Sequence, residues 1–223
     1  MTADLLPRRA WGSLTQSDIV ASAVDLARRE GLEALTIRRL AAEMGAGRMS
    51  LYRHVPDKKA LLDLVANEIA ERSVIPPEAL TGSWQERLLH LAHGMRDQLT
   101  TYPGFAELIM VRSNHGPGGL RIAETILEIL DLAGLSADDS ARFYLMFVDI
   151  VLGRAHRETY GDPTSPRRNA DLFKAAAQSD QAPRLRELTP RLREVATDQV
   201  FDDELDMIIQ AIEARAAKPK ARR

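Results

Sequence analysis

The stretch RRLAAEMGAGRMSLYRHVPDKK, residues 38–59, decides the fold. It gathers six of the chain's 30 Lys and Arg residues, and only Glu43 and Asp57 offset them, in a chain whose formal net charge is -2. Leu40, Ala41 and Met44 keep helical spacing with Ile37, and Thr36 stands where a side-chain oxygen caps a helix start. Gly45 and Gly47 interrupt that pattern. A second short helix is expected over 48–54, held to a core by Leu51 and Val55, four residues apart. Two short helices joined by a Gly-containing turn of three residues form a helix-turn-helix. In that arrangement the second helix enters the DNA major groove and the first braces it against the backbone.

The side chains suit that use. Arg48, Met49 and Ser50 open the second helix, where base edges are read. An Arg forks onto guanine O6 and N7, a Met packs on a thymine methyl, and a Ser bonds a base or a phosphate. Tyr52, Arg53 and His54 lie further along, where hydroxyl, guanidinium and imidazole meet phosphates. Lys58 sits in the first turn of the next helix, beside backbone N–H groups free to hold phosphate. Arg38 begins the bracing helix and can reach another phosphate. A solvated face on an ordinary helical bundle can carry the same charge pattern. The glycine turn, the helix lengths and the aromatic placement favour the DNA reading.

Working outward, helical spacing continues in both directions, and no alternating strand pattern bounded by turns occurs. Thr15 or Ser17 can cap a helix through about Arg29, with Ile19, Ala23, Leu26 and Ala27 on its apolar face and Gly31 just past its end. A long helix from Asp57 to about Arg72 follows the reading helix. Val74-Ile75-Pro76-Pro77-Glu78 is the one clear linker, so residues 1–75 are read as a head and 76–217 as a second helical domain. Helices are expected there over 84–101, 105–113, 120–133, 136–157 and 198–217, with 115–119 a loop and 159–197 polar and partly loop. Residues 218–223 are read as a basic, disordered tail, and Pro7-Arg8-Arg9 as either a minor-groove arm or a plain tail.

Composition agrees. The 223 residues are 45% hydrophobic and 28% charged, with no cysteine, which excludes disulfides and thiolate metal sites. The first residues lack the apolar run of a signal peptide, and no uncharged apolar stretch of membrane-spanning length occurs. A cytoplasmic protein with no membrane partner is expected. The sequence pI of about 6.2 confines any nucleic-acid contact to a local patch.

Residues 14–72, LTQSDIVASAVDLARREGLEALTIRRLAAEMGAGRMSLYRHVPDKKALLDLVANEIAER, resemble the N-terminal domain of the TetR family of transcriptional repressors. The LTIRRLAAEMG-x-x-x-x-SLYRHVPDKKALL pattern carries the resemblance, because it places helix, turn, helix and the start of the fourth helix together. It implies DNA contacts at Thr36, Arg38, Arg48, Met49, Ser50, Tyr52, Arg53, His54 and Lys58. Two positions depart from it. Gly47 is a helix-weakening residue at the head of the reading helix, and Ile37 stands where several members carry a polar phosphate contact.

The second half resembles the tetracycline-repressor-like subgroup in its helix pattern, with Tyr102-Pro103-Gly104 and a final helix of Phe201 to Ile212. The resemblance implies a homodimer formed through the last long helices and a small apolar or amphipathic effector bound among the middle ones. Independently, the 140–157 helix is too apolar for a monomer surface, and 201–212 offers a stripe to match; both stripes can also pack the domain's own core. The fold class is therefore all-α: an N-terminal helix-turn-helix three-helix DNA-binding domain and a C-terminal helical ligand-binding and dimerisation domain.

Candidate effector contacts are Trp84, His93, Tyr102, Phe105 and Met110, with His115, Phe143, Met146 and Phe147, since aromatic and Met side chains with a few polar handles suit a cavity. Core packing is the alternative for each. Glu86, His90 and His93 share a helix face, but no further ligand accompanies them, so no metal and no cofactor is expected. The Arg-rich 184–193 segment is read as solvated surface. No G-x-S-x-G, phosphate loop, dinucleotide glycine motif or H-E-x-x-H occurs, so the chain is read as no enzyme. A ligand-responsive regulator binding a double-stranded operator is preferred over a helical scaffold.

Overall fold

The structure, a computed structural model, describes residues 14–112, 115–161, 164–165 and 167–217. The expectations for residues 7–9 and 218–223 lie outside these. Every regular element among the described residues is a helix.

Helix α1, Gln16–Glu30, starts at Thr15, which exchanges side-chain and backbone bonds with Asp18 in a reciprocal capping box. Ile19, Ala23, Leu26 and Ala27 are buried, as their spacing requires. Gly31 ends the helix at φ 83°, a region that strains any residue with a Cβ. Helix α2, Ile37–Glu43, is capped by the Thr36 hydroxyl, which accepts the Arg39 N–H at 3.0 Å. Helix α3, Arg48–Tyr52, follows the turn and ends two residues before the expected His54. Gly47 is its N-cap with extended backbone, so the interior penalty of a glycine does not fall on the helix. Helix α4, Lys58–Ser73, begins where the Asp57 carboxylate accepts the Ala60 N–H at 2.7 Å.

The linker is itself structured. Residues Pro77–Leu80 form a 3-10 turn; Ala79 is buried and its carbonyl accepts Arg87 Nε at 3.1 Å. Then come α5 (Trp84–Thr101), α6 (Phe105–Val111), α7 (Pro117–Leu132) and α8 (Ala137–Tyr160). Helix α7 starts three residues earlier than expected, because Pro117 fits a first helical position that needs no N–H donor. The polar 159–197 stretch holds two helices, α9 (Ala170–Ala177) and α10 (Pro183–Leu192), before α11 (Thr197–Ala216) closes the chain's described part. Helix α10 carries Leu185, Leu188 and Leu192 on one face yet buries none of them, and Pro190 stands inside it, so the segment reads as loop.

One contiguous set of buried side chains runs from Ile19 to Ile212 and joins the first four helices to the rest. Helices α4 and α7 cross closely. Gly118 donates its N–H to Asn67 Oδ1 at 2.9 Å, and a Cβ there would come within 2.8 Å of the Ala70 methyl. Helices α8 and α11 are tied by Arg154, only 3% exposed, whose guanidinium donates to Glu204 at 2.7 and 3.3 Å. A cation this deep needs such a partner. The Phe201, Leu205, Ile208, Ile209 and Ile212 stripe of α11 is buried within the chain's own core. Among the described residues no helix is long and apolar enough to cross a membrane.

Candidate nucleic-acid interface and internal cavity

Leu51 and Val55 are fully buried and hold α3 to the core. The helix therefore turns Arg48, Met49, Tyr52 and Arg53 outward as one face. Met49 is 77% and Tyr52 46% exposed, unusual for large apolar side chains without a partner. Ser50 is half-buried, and its hydroxyl accepts Arg53 Nη2 at 3.2 Å. His54 follows the helix; its carbonyl accepts the Gln16 amide at 3.3 Å, which ties it to α1. Lys58 Nζ donates to the Glu33 carbonyl at 3.4 Å, fixing the head of α4 beside the α1–α2 loop. Thr36 is half-buried with its oxygen engaged by the cap, which leaves its hydroxyl proton to donate. Ile37 is buried, as an apolar residue at that position should be.

The two carboxylates that offset the six bases in the sequence are both occupied inside the head. Glu43 accepts Arg39 at 2.8 Å and Arg29 at 2.6 Å, and Arg39 also reaches Glu30 at 2.5 Å. Asp57 caps α4. Arg39 is thus a structural cation. Its guanidinium, held by Glu30 and Glu43, is raised further above its ordinary range, while hydrogen bonds from Arg39 hold the Glu30 and Glu43 carboxyls below theirs. Arg38, Arg48, Arg53, Lys58 and Lys59 join none of the ion pairs found among the described residues. Five cations without a carboxylate partner on one short segment make a local anion-facing surface in an acidic chain.

A cavity of about 390 Å³ lies among α4, α5, α6, α7 and α8. Met95, Gln98 and Leu99 enter it from α5, Phe105 and Ile109 from α6, and Ile122, Ala123 and Ile126 from α7. Helix α8 contributes Tyr144, Val148 and Leu152, each four residues from the next. His115 also lines it. The Gln98 amide and Tyr144 hydroxyl make no hydrogen bond within the protein among the described residues, and no carboxylate, Lys or Arg lines the space.

Of the nine cavity residues expected from sequence, the structure brings Phe105 and His115 together here. Phe143 and Phe147 fill the core on the neighbouring face of α8, and Met146, 54% exposed, points outward. Met110 is exposed on α6. Tyr102 stacks edge-on against Phe105 at 6.2 Å but lines a separate surface recess with Asp25 and Arg28. Trp84 begins α5, fourteen residues before Gln98, which is roughly 20 Å along a helix. His93 faces Asp202 at 3.4 Å and the Phe201 ring at 5.4 Å, in a polar groove with Arg96 and Glu158. Glu86 is engaged in the Ser83 capping box, and no cluster of three His, Asp or Glu among the described residues is placed to hold a metal.

Sequence reasoning sought aromatics and methionines, and those residues went mostly to the core or the surface. The cavity wall is mostly aliphatic. Its readable signal was the width of the apolar arc on α8: Phe143, Phe147 and Val151 pack the core, and Tyr144, Val148 and Leu152 form a second stripe beside them.

Comparison with known proteins adds to this geometry. The family model described as "Bacterial regulatory proteins, tetR family" matches residues 19–65. The one described as "Tetracyclin repressor-like, C-terminal domain" matches residues 76–216. The HTH-type transcriptional repressor DrrR1 of Streptomyces coeruleorubidus is 34% identical over 151 residues, which is 66% of this chain but 55% of that protein. The tetracycline repressor protein class A from transposon 1721 of Escherichia coli is 27% identical over 91% of this chain and 92% of its own length. Among solved structures, ActR from Streptomyces coelicolor superposes without ligand at a TM-score of 0.79, with 28% identity over 93% of this chain and 98% of that one. Its complex with actinorhodin superposes at 0.78, with 28% identity over 93% and 99%.

Proposed function

We propose, from the premise that this chain belongs to the TetR family of bacterial regulatory proteins, that it is a dimeric repressor that binds a palindromic DNA operator and leaves it when a small molecule fills the cavity. The observation that carries the reading is the inward engagement of Glu43 and Asp57, which leaves Arg38, Arg48, Arg53, Lys58 and Lys59 free for phosphates and bases. In this reading residues 1–75 form the DNA-binding domain and 76–217 the effector and dimerisation domain. Arg48, Met49 and Ser50 face base edges. Thr36, Arg38, Tyr52, Arg53, His54 and Lys58 hold the backbone. The protein works where its DNA lies, in the cytoplasm.

Dimerisation is supported by apolar residues that the chain leaves in water: Leu145 at 61% and Met146 at 54% on α8, and Met207 at 69% on α11. Two copies joined there can place their reading helices in successive major grooves, about 34 Å apart. The effector suited to the cavity is a neutral, largely apolar molecule with two or three hydrogen-bonding groups to meet Gln98, Tyr144 and His115. ActR, a relative of matching fold, was crystallised with actinorhodin and with (S)-DNPA, which supports a small-molecule effector for this chain too. Filling the cavity moves α6 and α7, and α7 grips α4 through Gly118 and Asn67 and through Arg121 on the Glu71 carbonyl at 2.7 Å. Ligand and operator then oppose each other with equal coupling in both directions.

Selection of the purified protein against random duplex DNA at two salt concentrations tests the reading. Enrichment of a palindrome with half-sites one helical turn apart is the expected result. Salt-sensitive binding with no enriched sequence would reduce the head to a nonspecific cation patch.

A further inference from the structure

A second cavity, of about 400 Å³, lies at the junction of head and body. The head lends it His54, Pro56 and Leu64; the body lends Leu108, Arg112 and Pro117. Ile109 and His115 line both cavities, and the rest of the two linings differs in chemistry. The effector cavity has no Lys, Arg or carboxylate. The junction cavity has Arg112 and one carboxylate, Asp63.

These two groups are barely paired. Arg112 Nη1 stands 4.0 Å from Asp63 Oδ1, the limit of an ion pair, and its side chain is 41% exposed. Its fork of donors is therefore open to a better acceptor. The His54 ring has no partner among the described residues, while its backbone carbonyl is held by Gln16. Asn67 is already engaged at both ends, by Glu71 at 3.0 Å and by Gly118 at 2.9 Å. Besides Asp63 and His115, the polar groups left are the Arg112 guanidinium and the His54 imidazole, over an apolar floor of Pro56, Leu64 and Leu108.

We propose that this junction cavity is a second ligand site, for a small aromatic carboxylic acid. The carboxylate takes the Arg112 fork in place of the distant Asp63, and the ring lies on the apolar floor. Such an occupant touches His54 and Leu64 of the head and Leu108 and Arg112 of the body at once. It fixes the angle between them, and it competes for His54 with the DNA phosphate that the repressor reading assigns to it. Only this last consequence rests on that reading; the site itself does not.

The test uses the fluorescent acid 2-naphthoate and the full chain, without DNA. Saturable binding is expected. It should weaken at least tenfold in Arg112→Gln and partly recover in Arg112→Lys, which restores charge without the fork. It should persist in Ala123→Phe, which fills the effector cavity, and the uncharged alcohol 2-naphthalenemethanol should not compete at the junction. Should Ala123→Phe fail to fold, Val148→Phe fills the same space from α8. No saturable binding up to millimolar probe overturns the proposal. So does binding that Ala123→Phe abolishes and Arg112→Gln leaves intact, which would put the acid in the effector cavity. Operator affinity with and without probe is then read separately. Loss of operator binding in every condition would count against the repressor reading and leave the site standing.

Discussion

Residues 38–59 and 184–193 are both short helical segments dense in arginine, and the fold treats them differently. In the first, Leu51 and Val55 are fully buried, so Arg48 and Arg53 project from a helix with a fixed orientation. In the second, no residue of α10 is buried, Pro190 lies inside the helix, and Leu188 and Leu192 face water. Arg186 reaches Asp180 at 3.8 Å and Arg193 lies over the Phe173 ring at 5.5 Å. Charge density alone therefore does not make an interface. A reading surface needs cations without carboxylate partners on a backbone anchored from behind, since recognition depends on held geometry.

The contrast breaks most readily at the anchor. Leu51→Ala removes a fully buried side chain and should cost about 2–5 kcal/mol of stability, whereas the half-exposed Leu188→Ala should stay within about 0.5 kcal/mol; denaturant melts of both variants decide. Equal losses would mean that α10 is anchored by something outside this chain, such as a second copy.

Arg48→Ala comes next. It should cost about 1–3 kcal/mol of operator affinity and relax the preference at one base pair of each half-site. Mobility shifts on operators varied at single positions would show it. An unaltered preference would move base reading to Met49 and Ser50.

Lys58→Ala should weaken every DNA sequence alike and reduce the salt slope by about one unit. Arg184→Ala and Arg186→Ala together should leave that slope as it was. A slope lowered by the α10 pair instead would make the second basic segment part of the DNA footprint.

The smallest effect belongs to Glu43. Its carboxyl is held below the ordinary range chiefly by Arg39, then by Arg29. A depressed folded value adds stability above the unfolded carboxylate pKa, about 4.3, and that stability disappears as pH falls through the folded value. Glu43→Gln should thus melt slightly lower than the parent at pH 7, and the gap should narrow as pH falls below the unfolded carboxylate pKa. A gap that does not narrow on acidification would assign the loss to packing rather than charge.

The head was legible because its signals are local. A cap at Thr36, two glycines and the Leu51–Val55 pair act within a few residues, and the structure keeps all three. One partner of Arg39 was hidden, since Glu30 is nine residues away and meets it only when α1 and α2 pack; Glu43, four residues on, was within local reach. The body was harder. In α10 Pro183 and Pro190 read as breaks although the helix runs through them, and Pro117 reads as a break when it is in fact a helix start. The cavity residues are ordinary aliphatics, indistinguishable by type from those in the core.

The sequence by itself determined the helical class, the helix-turn-helix and which residues stand on the outward face of its second helix, because helical period and turn chemistry are properties of neighbours along the chain. The tertiary structure decided which cations are free and which aliphatic stripes border empty space. It also decided that two cavities, one with charged groups in its lining and one without, share Ile109 and His115. Those outcomes depend on how five helices cross, and crossing geometry is set by packing between residues far apart in the chain.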